Sequence, residues 1–398
     1  MNSLDQALDD LIPTLRDEVG LDELGEGIYV DWARFAYEPR FVRSAMEEHH
    51  RFERTNITHP SRLRDRAIEQ SERTEAKLAR LLSCDSRNVF LTTSASHAMS
   101  LLYPLCTFQP TQSNSPSQNI SLLIGDIAQI IGRKYVTVSG TEEEFLRAIM
   151  NEVSGRVEGS SSSSVCTPVS VFSGHKWLLG PKGIGGFCMS EASRQNLDVL
   201  AQEYLETLYT AIDSYHAQNG AAQVDFQYFP FRRGRHKEVH SVIDTVNFGA
   251  ASCQNPFDTY YLLMHGRTTL PVVQYVGLEK AIDFIEDIGR EIDSATDNPY
   301  KTALEAIERR IKRLTDGFVV PSGFHAHREE PGFILIETIA GLDEPATKQH
   351  YSSRLHAHLC DNNIANTVTQ RFGCRLSIHY LNTEEELGRV SNVLEGFR

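Results

Sequence analysis

Apolar positions along the chain change between helical and strand spacing. "LDQALDDLIPTL" near the N-terminus has an apolar stripe at helical spacing, although Pro13 interrupts it. Residues 63–82 predict a stronger amphipathic helix, with opposite charges interleaved on its polar face. "NVFLTTSASHAMSLL" changes from strand to helix at its Ser/Thr cluster, and residues 120–126 are typical of a buried strand that ends in an aspartate. The pattern predicts alternating strands and helices.

This alternation favours an α/β fold with a mostly parallel sheet in a large domain. Long helices follow at "LPVVQYVGLEKAIDFIEDIGREI" and "TALEAIERRIKRL", and "GFILIETIA" and "CRLSIHYL" predict strands of a smaller C-terminal α+β domain. A chain of 398 residues exceeds what one hydrophobic core usually supports. We therefore expect an N-terminal segment over 1–40, a large domain over 41–294 and a small domain over 295–398.

The composition indicates which classes of partner and which cellular compartment to expect. The formal net charge of −14 argues against nucleic acid or an anionic membrane as the main partner. No run of apolar residues is long enough to span a membrane, and the acidic N-terminus does not resemble a signal peptide. Seven cysteines without C-x-x-C or zinc-type spacing indicate reduced thiols. The expected compartment is the cytosol.

The most unusual stretch is "VFSGHKWLLGPKGIGGF" at 171–187, where a lysine follows an apolar strand. Such a lysine is costly to bury unless it is paired or reacts, and the glycines after it allow close backbone packing. Taken alone, the stretch is also compatible with a surface loop and a solvated Lys176. Two further polar groups follow predicted strands, the Ser/Thr cluster at 92–97 and the Asp126/Gln129 pair. Ligands in α/β sheets bind at the carboxyl ends of strands, where we expect Asp126 and Lys176 to project.

Together these motifs resemble the class V aminotransferase family of fold-type I pyridoxal-phosphate enzymes, which includes cysteine desulfurases and isopenicillin-N-epimerase-like proteins. "SGHKWLLGPKGIGGF" is nearly a full match to the lysine motif of that family. The resemblance implies that Lys176 forms a Schiff base with the cofactor, because the chemistry needs an amine that can lose its proton. It also implies that Ser173 and His175 contact the cofactor phosphate.

Two more motifs extend the resemblance. "GDIAQIIGR" is similar to the family's D-G-A-Q stretch, which implies that Asp126 pairs with the pyridine nitrogen and Gln129 bonds the phenolic oxygen. "FLTTSASHA" is similar to the phosphate-binding turn, which places Ala95, Ser96 and His97 among the cofactor-binding residues. Taken alone, that turn is equally compatible with an ordinary capped helix.

The remaining matches concern the partner subunit and the substrate. Thr269 matches a residue that reaches the phosphate of the partner subunit, which implies a homodimer. Arg375 in "CRLSIHYLNTEEEL" matches the arginine that binds a substrate carboxylate, although a surface arginine on a strand is the alternative. "YVDWA", with Asp31 and Ala33, resembles the entry strand of the family.

The resemblance implies chemistry at the amino group or Cα of an amino acid, and leaves transamination, epimerisation and β-elimination open. Cysteine desulfuration is disfavoured, because neither Cys360 nor Cys374 lies in the loop motif it needs, and both are expected to be packed thiols. A catalytically degenerate binding protein is the alternative, because only 29 positions separate His97 from Asp126. A nucleotide site at "GPKGIGG" is disfavoured, since the order G-x-x-x-x-G-K-[ST] is missing.

Overall fold

The computed structural model describes most of the two ends of the chain and parts of its middle. The described residues are 3–34, 37–107, 169–204, 256–265, 272–328, 332–338, 345–369 and 373–397. The predicted strand at 120–126, which ends in Asp126, lies outside these ranges. Gln129 and Thr269 lie outside them as well.

The described helices include most of those predicted from apolar spacing. Numbered in chain order, they are α1 (Ser3–Val19), α2 (Arg40–Thr55), α3 (Pro60–Leu81), α4 (Ala95–Thr107), α5 (191–204), α6 (Pro256–His265), α7 (Val272–Ile292), α8 (Pro299–Gly317), α9 (Pro345–Asp361) and α10 (Glu384–Glu395). Pro13 does not end α1; it lies on the exposed face, while Leu8, Ile12 and Leu15 are buried on the other.

The described strands form three sheets. They are β1 (Ile28–Tyr29), β2 (Val89–Thr92), β3 (Val169–Ser173), β4 (Gly185–Met189), β5 (Phe324–Arg328), β6 (Phe333–Thr338), β7 (Ile364–Ala365), β8 (Thr367–Thr369) and β9 (Gly373–Ser377). β1 pairs with β7, β4 lies between β2 and β3, and β6 and β9 are the central strands of the order β5-β6-β9-β8.

β4 runs antiparallel to both of its neighbours, β2 and β3. These two outer strands are therefore parallel to each other, and their carboxyl ends lie at the same edge. The mostly parallel sheet predicted from the sequence is not seen among the described strands, whose pairings in this sheet are antiparallel. All residues of β2 and β4 are buried, which agrees with their continuous apolar runs.

A layer of helices covers one large core. α7 is buried along most of its length and packs against α2, α3 and α8. Its acidic residue Glu279 is also buried and accepts hydrogen bonds from Gln70 (2.5 Å) and Arg73 (2.7 Å), with Lys77 at 2.8 Å. Burial opposes the charge of Glu279, but these donors outweigh it and lower its pKa to about 2. The polar contact between α3 and α7 is therefore satisfied.

The C-terminal sheet carries a second core, covered by α9 and α10. Ile28 and Val30 from the N-terminal segment pack into it, because β1 pairs with β7. α10 begins at a capping box, in which Thr383 and Glu386 each accept the other's main-chain N–H. The N-terminal segment and the C-terminal sheet therefore share one core.

Close packing between α7 and α8 makes Gly289 irreplaceable. A Cβ there would overlap the main chain of Pro299, whereas a Cβ at Gly388, on the exposed face of α10, meets nothing within 4 Å. We expect Gly289→Ala to lower the free energy of unfolding by at least about 2 kcal/mol. Gly388→Ala is the matched control and should raise it by about 0.5–1 kcal/mol. Denaturant unfolding of both variants tests this, and a neutral Gly289→Ala would contradict the packing.

Candidate active site

Two of the predicted motifs meet at one edge of the three-stranded sheet. Thr92, the last residue of β2, and Ser173, the last residue of β3, both pair with Gly185 at the start of β4. The three residues form one row across the sheet. The turn into α4 leaves this row from Thr92, and the turn that carries Lys176 leaves it from Ser173. The edge therefore brings together segments 81 positions apart in sequence.

Gly185 allows the two turns to approach. A Cβ at this position would lie 2.7 Å from the carbonyl carbon of Ser94, 2.8 Å from the nitrogen of Ala95 and 2.8 Å from the carbonyl oxygen of Phe172. No real Cβ sits that close to main-chain atoms, so any other residue would push the start of α4 away from β3.

The turn between β2 and α4 ends in a capped helix. Ser94 is the N-cap, because its hydroxyl accepts the main-chain N–H of His97 at 3.0 Å. Thr93 and Nδ1 of His97 form a further hydrogen bond at 2.9 Å. The first-turn N–H groups of Ala95 and Ser96 have no acceptor within the helix, and the helix dipole favours an anion beside them. This helix end can hold a phosphate.

The Lys176 turn is fixed by its own main chain. Gly174 donates to Ile184 (3.0 Å) and Gly180 donates to Gly174 (2.7 Å), while the carbonyl of Lys176 accepts from Leu179 at 3.0 Å. A Cβ at Gly174 would lie 2.6 Å from a methyl carbon of Ile184. The glycines of the motif thus hold Lys176, half-buried, beside the sheet edge.

Arg375 reaches the same region through an aromatic side chain. Trp177, which follows Lys176, packs edge-on against Phe333 with ring centroids 5.7 Å apart. The guanidinium carbon of Arg375 lies 5.9 Å from the centroid of the same Phe333 ring. Arg375 lies in β9 and is partly exposed, with 29% of its side-chain surface accessible. Its guanidinium therefore lies partly enclosed beside Phe333.

Asp31 is the acidic neighbour of Arg375. Its carboxylate lies 3.9 Å from the guanidinium, and both of its oxygens accept from the hydroxyl of Thr367 at 2.7 Å. Burial raises the pKa of Asp31 above its ordinary value, and the Thr367 hydrogen bond and the charge of Arg375 oppose that rise. Asp31 of the "YVDWA" motif therefore lies beside Arg375, the arginine predicted to bind the substrate.

The structure groups six of the predicted site residues at one sheet edge. These are Ala95, Ser96, His97, Ser173, His175 and Lys176. Sequence reasoning missed Ser94 as the N-cap. It also missed two buried side chains, His379, which stacks on Trp177, and Trp32, which stacks on His379.

Comparison with solved structures identifies the architecture. A form of C-DES with a lysine replaced by alanine, and with glycine covalently linked to the PLP cofactor, superposes with a TM-score of 0.56 at 14% identity, over 96% of this chain and 99% of that one. The apo cysteine desulfurase from Thermococcus onnurineus NA1 gives 0.53 at 16% identity, over 96% and 98%.

The chain has the fold of a fold-type I pyridoxal-phosphate enzyme. C-DES in complex with its reaction product cysteine persulfide, where it is described as a cystine C–S lyase, also superposes, with a TM-score of 0.55 at 14% identity over 94% of this chain and 99% of that one. No family model and no curated protein sequence matches the chain. The resemblance inferred from the lysine motif is thus confirmed at the level of the fold.

Two cysteines near the C-terminus differ from each other within this pyridoxal-phosphate enzyme fold. Cys374 is buried in β9 as expected, and burial raises its pKa to about 12. Cys360 is exposed, so the expectation that it is a packed thiol is wrong. It lies on the solvent side of α9, where its sulfur is 3.8 Å from the ring nitrogens of His356. The apolar spacing of α9 did not show which face Cys360 occupies.

No helix within the described ranges is long and apolar enough to cross a membrane.

Proposed function

We propose that this chain is a pyridoxal-phosphate enzyme that acts at Cα of an amino acid. The observation that carries the proposal is the row formed by Thr92, Gly185 and Ser173, which sets a lysine and a helix N-terminus at the same sheet edge. Structural neighbours with this fold bind the cofactor. An amine and an anion site side by side fit a molecule that carries both an aldehyde and a phosphate.

Each of the described residues would have a definite task. When bound, the cofactor supplies an electron sink for negative charge at the substrate Cα. Lys176 would hold it through its amine and would move the proton at Cα, a task that arginine cannot perform because it stays protonated. The first turn of α4, with Ala95, Ser96 and His97, would hold the phosphate, and Ser173 and His175 would border it. Asp126 and Gln129, and Thr269, which would reach the phosphate of the partner subunit, remain predictions from the motifs alone.

Arg375 would orient the substrate. A guanidinium binds a carboxylate with two parallel hydrogen bonds, which fixes an amino acid more strictly than a lysine would. Its contact with Phe333 restricts its side chain, and Asp31 at 3.9 Å offers a resting counter-charge that an incoming α-carboxylate would replace. The substrate class proposed is therefore α-amino acids with a free carboxylate.

The test begins with the visible absorbance of the purified chain after addition of pyridoxal phosphate. We expect a saturable yellow band that is absent from the chain alone, and spectral changes when single amino acids, including cysteine and cystine, are added. Borohydride reduction followed by peptide mapping should place the cofactor on Lys176. A chain that folds but shows neither band nor adduct would overturn the proposal and favour a binding protein with the same fold.

A further inference from the structure

His379 occupies an unusual position between aromatic rings. It is completely buried, and its imidazole stacks on Trp32 with centroids 4.3 Å apart and planes 17° apart. It also stacks on Trp177, at 5.5 Å and 21°. Trp32 comes from the N-terminal segment, His379 follows β9, and Trp177 belongs to the Lys176 turn. Three distant parts of the chain therefore meet in one stack of rings.

Only one of the two ring nitrogens of His379 makes a hydrogen bond of ordinary geometry with a described residue. Nδ1 accepts the main-chain N–H of Leu381 at 3.4 Å, which leaves the proton on Nε2. Burial lowers the pKa of His379 to about 3, and an interaction with the main chain of Trp177 offsets only part of this shift. Nε2 has no hydrogen-bond partner of ordinary geometry among the described residues. The neutral ring is thus held mainly by stacking.

The other partner in the stack, Trp32, is itself fixed. Its indole N–H donates to the carbonyl of Tyr29 at 2.8 Å and to the side chain of Asn382 at 3.1 Å. Asn382 also accepts the main-chain N–H of His379 at 2.9 Å. Trp32 and His379 therefore form one rigid unit that is anchored by a shared asparagine.

Two further contacts restrict Trp177. Phe333 packs against it edge-on, and a Cβ at Gly332 would lie 2.7 Å from the end of its indole. The main-chain bonds of Gly174 and Gly180 close the two ends of the turn, and the bond from Leu179 to the carbonyl of Lys176 fixes its main chain. The stack on Trp177 adds a side-chain contact next to Lys176. Trp177 is the member of this segment that is stacked on the rigid unit, and it directly follows Lys176.

We propose that His379 is a positioning residue, which holds the Lys176 turn through its stack with Trp177 so that the Lys176 amine faces the sheet edge. This inference rests on the proposed function, since it assigns the amine to cofactor capture. His379 touches neither substrate nor cofactor in this assignment. Its effect is assigned mainly to a flat ring of the right size, and the interaction of the imidazole with the main chain of Trp177 is a smaller contribution.

The experiment compares His379→Ala, His379→Phe and the parent chain after incubation with pyridoxal phosphate, borohydride reduction and peptide mapping. His379→Ala should weaken saturation with pyridoxal phosphate by about 10-fold or more and shift part of the adduct to exposed lysines such as Lys182. His379→Phe keeps a stacking ring and should stay within about 3-fold of the parent. Equal saturation and equal adduct sites in all three chains would overturn the inference.

His358→Ala is the matched control for a loss of stability alone. His358 is a partly buried histidine of the same C-terminal unit, which packs on Phe397 at 5.3 Å and bonds the carbonyl of Val393 at 2.9 Å. Its removal should lower the melting temperature without moving the adduct away from Lys176. If His358→Ala redistributes the adduct as strongly as His379→Ala, the role of His379 is merely structural and the inference is wrong.

A second readout separates this inference from the proposed function. Brief acetylation of the chain without cofactor, followed by mass spectrometry, gives the rate at which Lys176 reacts relative to Lys182. His379→Ala should change this ratio by at least about 3-fold, and His379→Phe should restore it. A parent chain that captures no cofactor would reject the proposed function, while the acetylation ratio would still decide whether His379 positions Lys176.

Discussion

Lys176→Ala is expected to abolish covalent capture of pyridoxal phosphate while leaving the protein folded. The side chain of Lys176 is only half-buried, and the turn is held by main-chain bonds that alanine keeps, including the one from Leu179. Its amine is the group that the proposed chemistry requires. Intact mass after borohydride reduction should show one cofactor per parent chain and none at this position in the variant.

Lys182→Ala is the control for this variant. Lys182 belongs to the same glycine-rich segment, but it is exposed and follows the turn rather than lying within it. It should retain the band, the adduct and any turnover of the parent. Turnover in Lys176→Ala should fall by at least about 100-fold, since proton transfer by a positioned group contributes that much. A full adduct in Lys176→Ala would show that another lysine holds the cofactor.

His379→Phe is expected to make the chain markedly less sensitive to acid. The pKa of His379 is about 3 in the folded chain, compared with an ordinary value near 6.5. Between pH 3 and pH 6.5, His379 is protonated in the unfolded chain but neutral in the folded chain. Lowering the pH in this range therefore favours unfolding. The stability is fully present above about pH 6.5 and is lost, at about 1.4 kcal/mol per pH unit, as the pH falls towards 3.

Denaturant unfolding at pH 7, 6, 5 and 4 measures this difference. The parent should lose about 3 kcal/mol more than His379→Phe between pH 7 and pH 4. Other groups contribute to acid unfolding in both chains, Glu279 among them, because its pKa is lowered to about 2 by Arg73, Lys77 and Gln70. Their contribution cancels in the comparison. Parallel stability curves for the two chains would mean that His379 does not titrate far below its ordinary range.

The Lys176 and His379 experiments test two neighbouring parts of the candidate site. The first concerns the amine that would hold the cofactor, and the second concerns the buried ring that faces the residue after it. Trp177 connects them, because it follows Lys176 in sequence and stacks on His379 in space. His379→Phe is expected to change acid stability without changing the reactivity of Lys176, because it keeps the stacking ring and removes the titrating nitrogens. This variant therefore separates the titration of His379 from its role in positioning.

The local elements and the chemical groups of the candidate site could be predicted from the order of residues along the chain. Apolar spacing predicted the helix over 63–82, found as Pro60–Leu81, and the strand-to-helix change that produces β2 and α4. The lysine motif predicted the pyridoxal-phosphate enzyme fold. These features depend on residues near one another in the chain, where side-chain periodicity and the conformational freedom of glycine act directly.

Which of these groups meet could be learned only from the folded chain. The row of Thr92, Gly185 and Ser173 depends on strand register, and the stack of His379 on Trp32 and Trp177 joins residues up to 347 positions apart. Cys360 and Cys374 looked alike in sequence, yet one is exposed and the other buried. Periodicity specifies that a residue faces a core, but not which distant side chain shares it, because that depends on how all the elements pack at once.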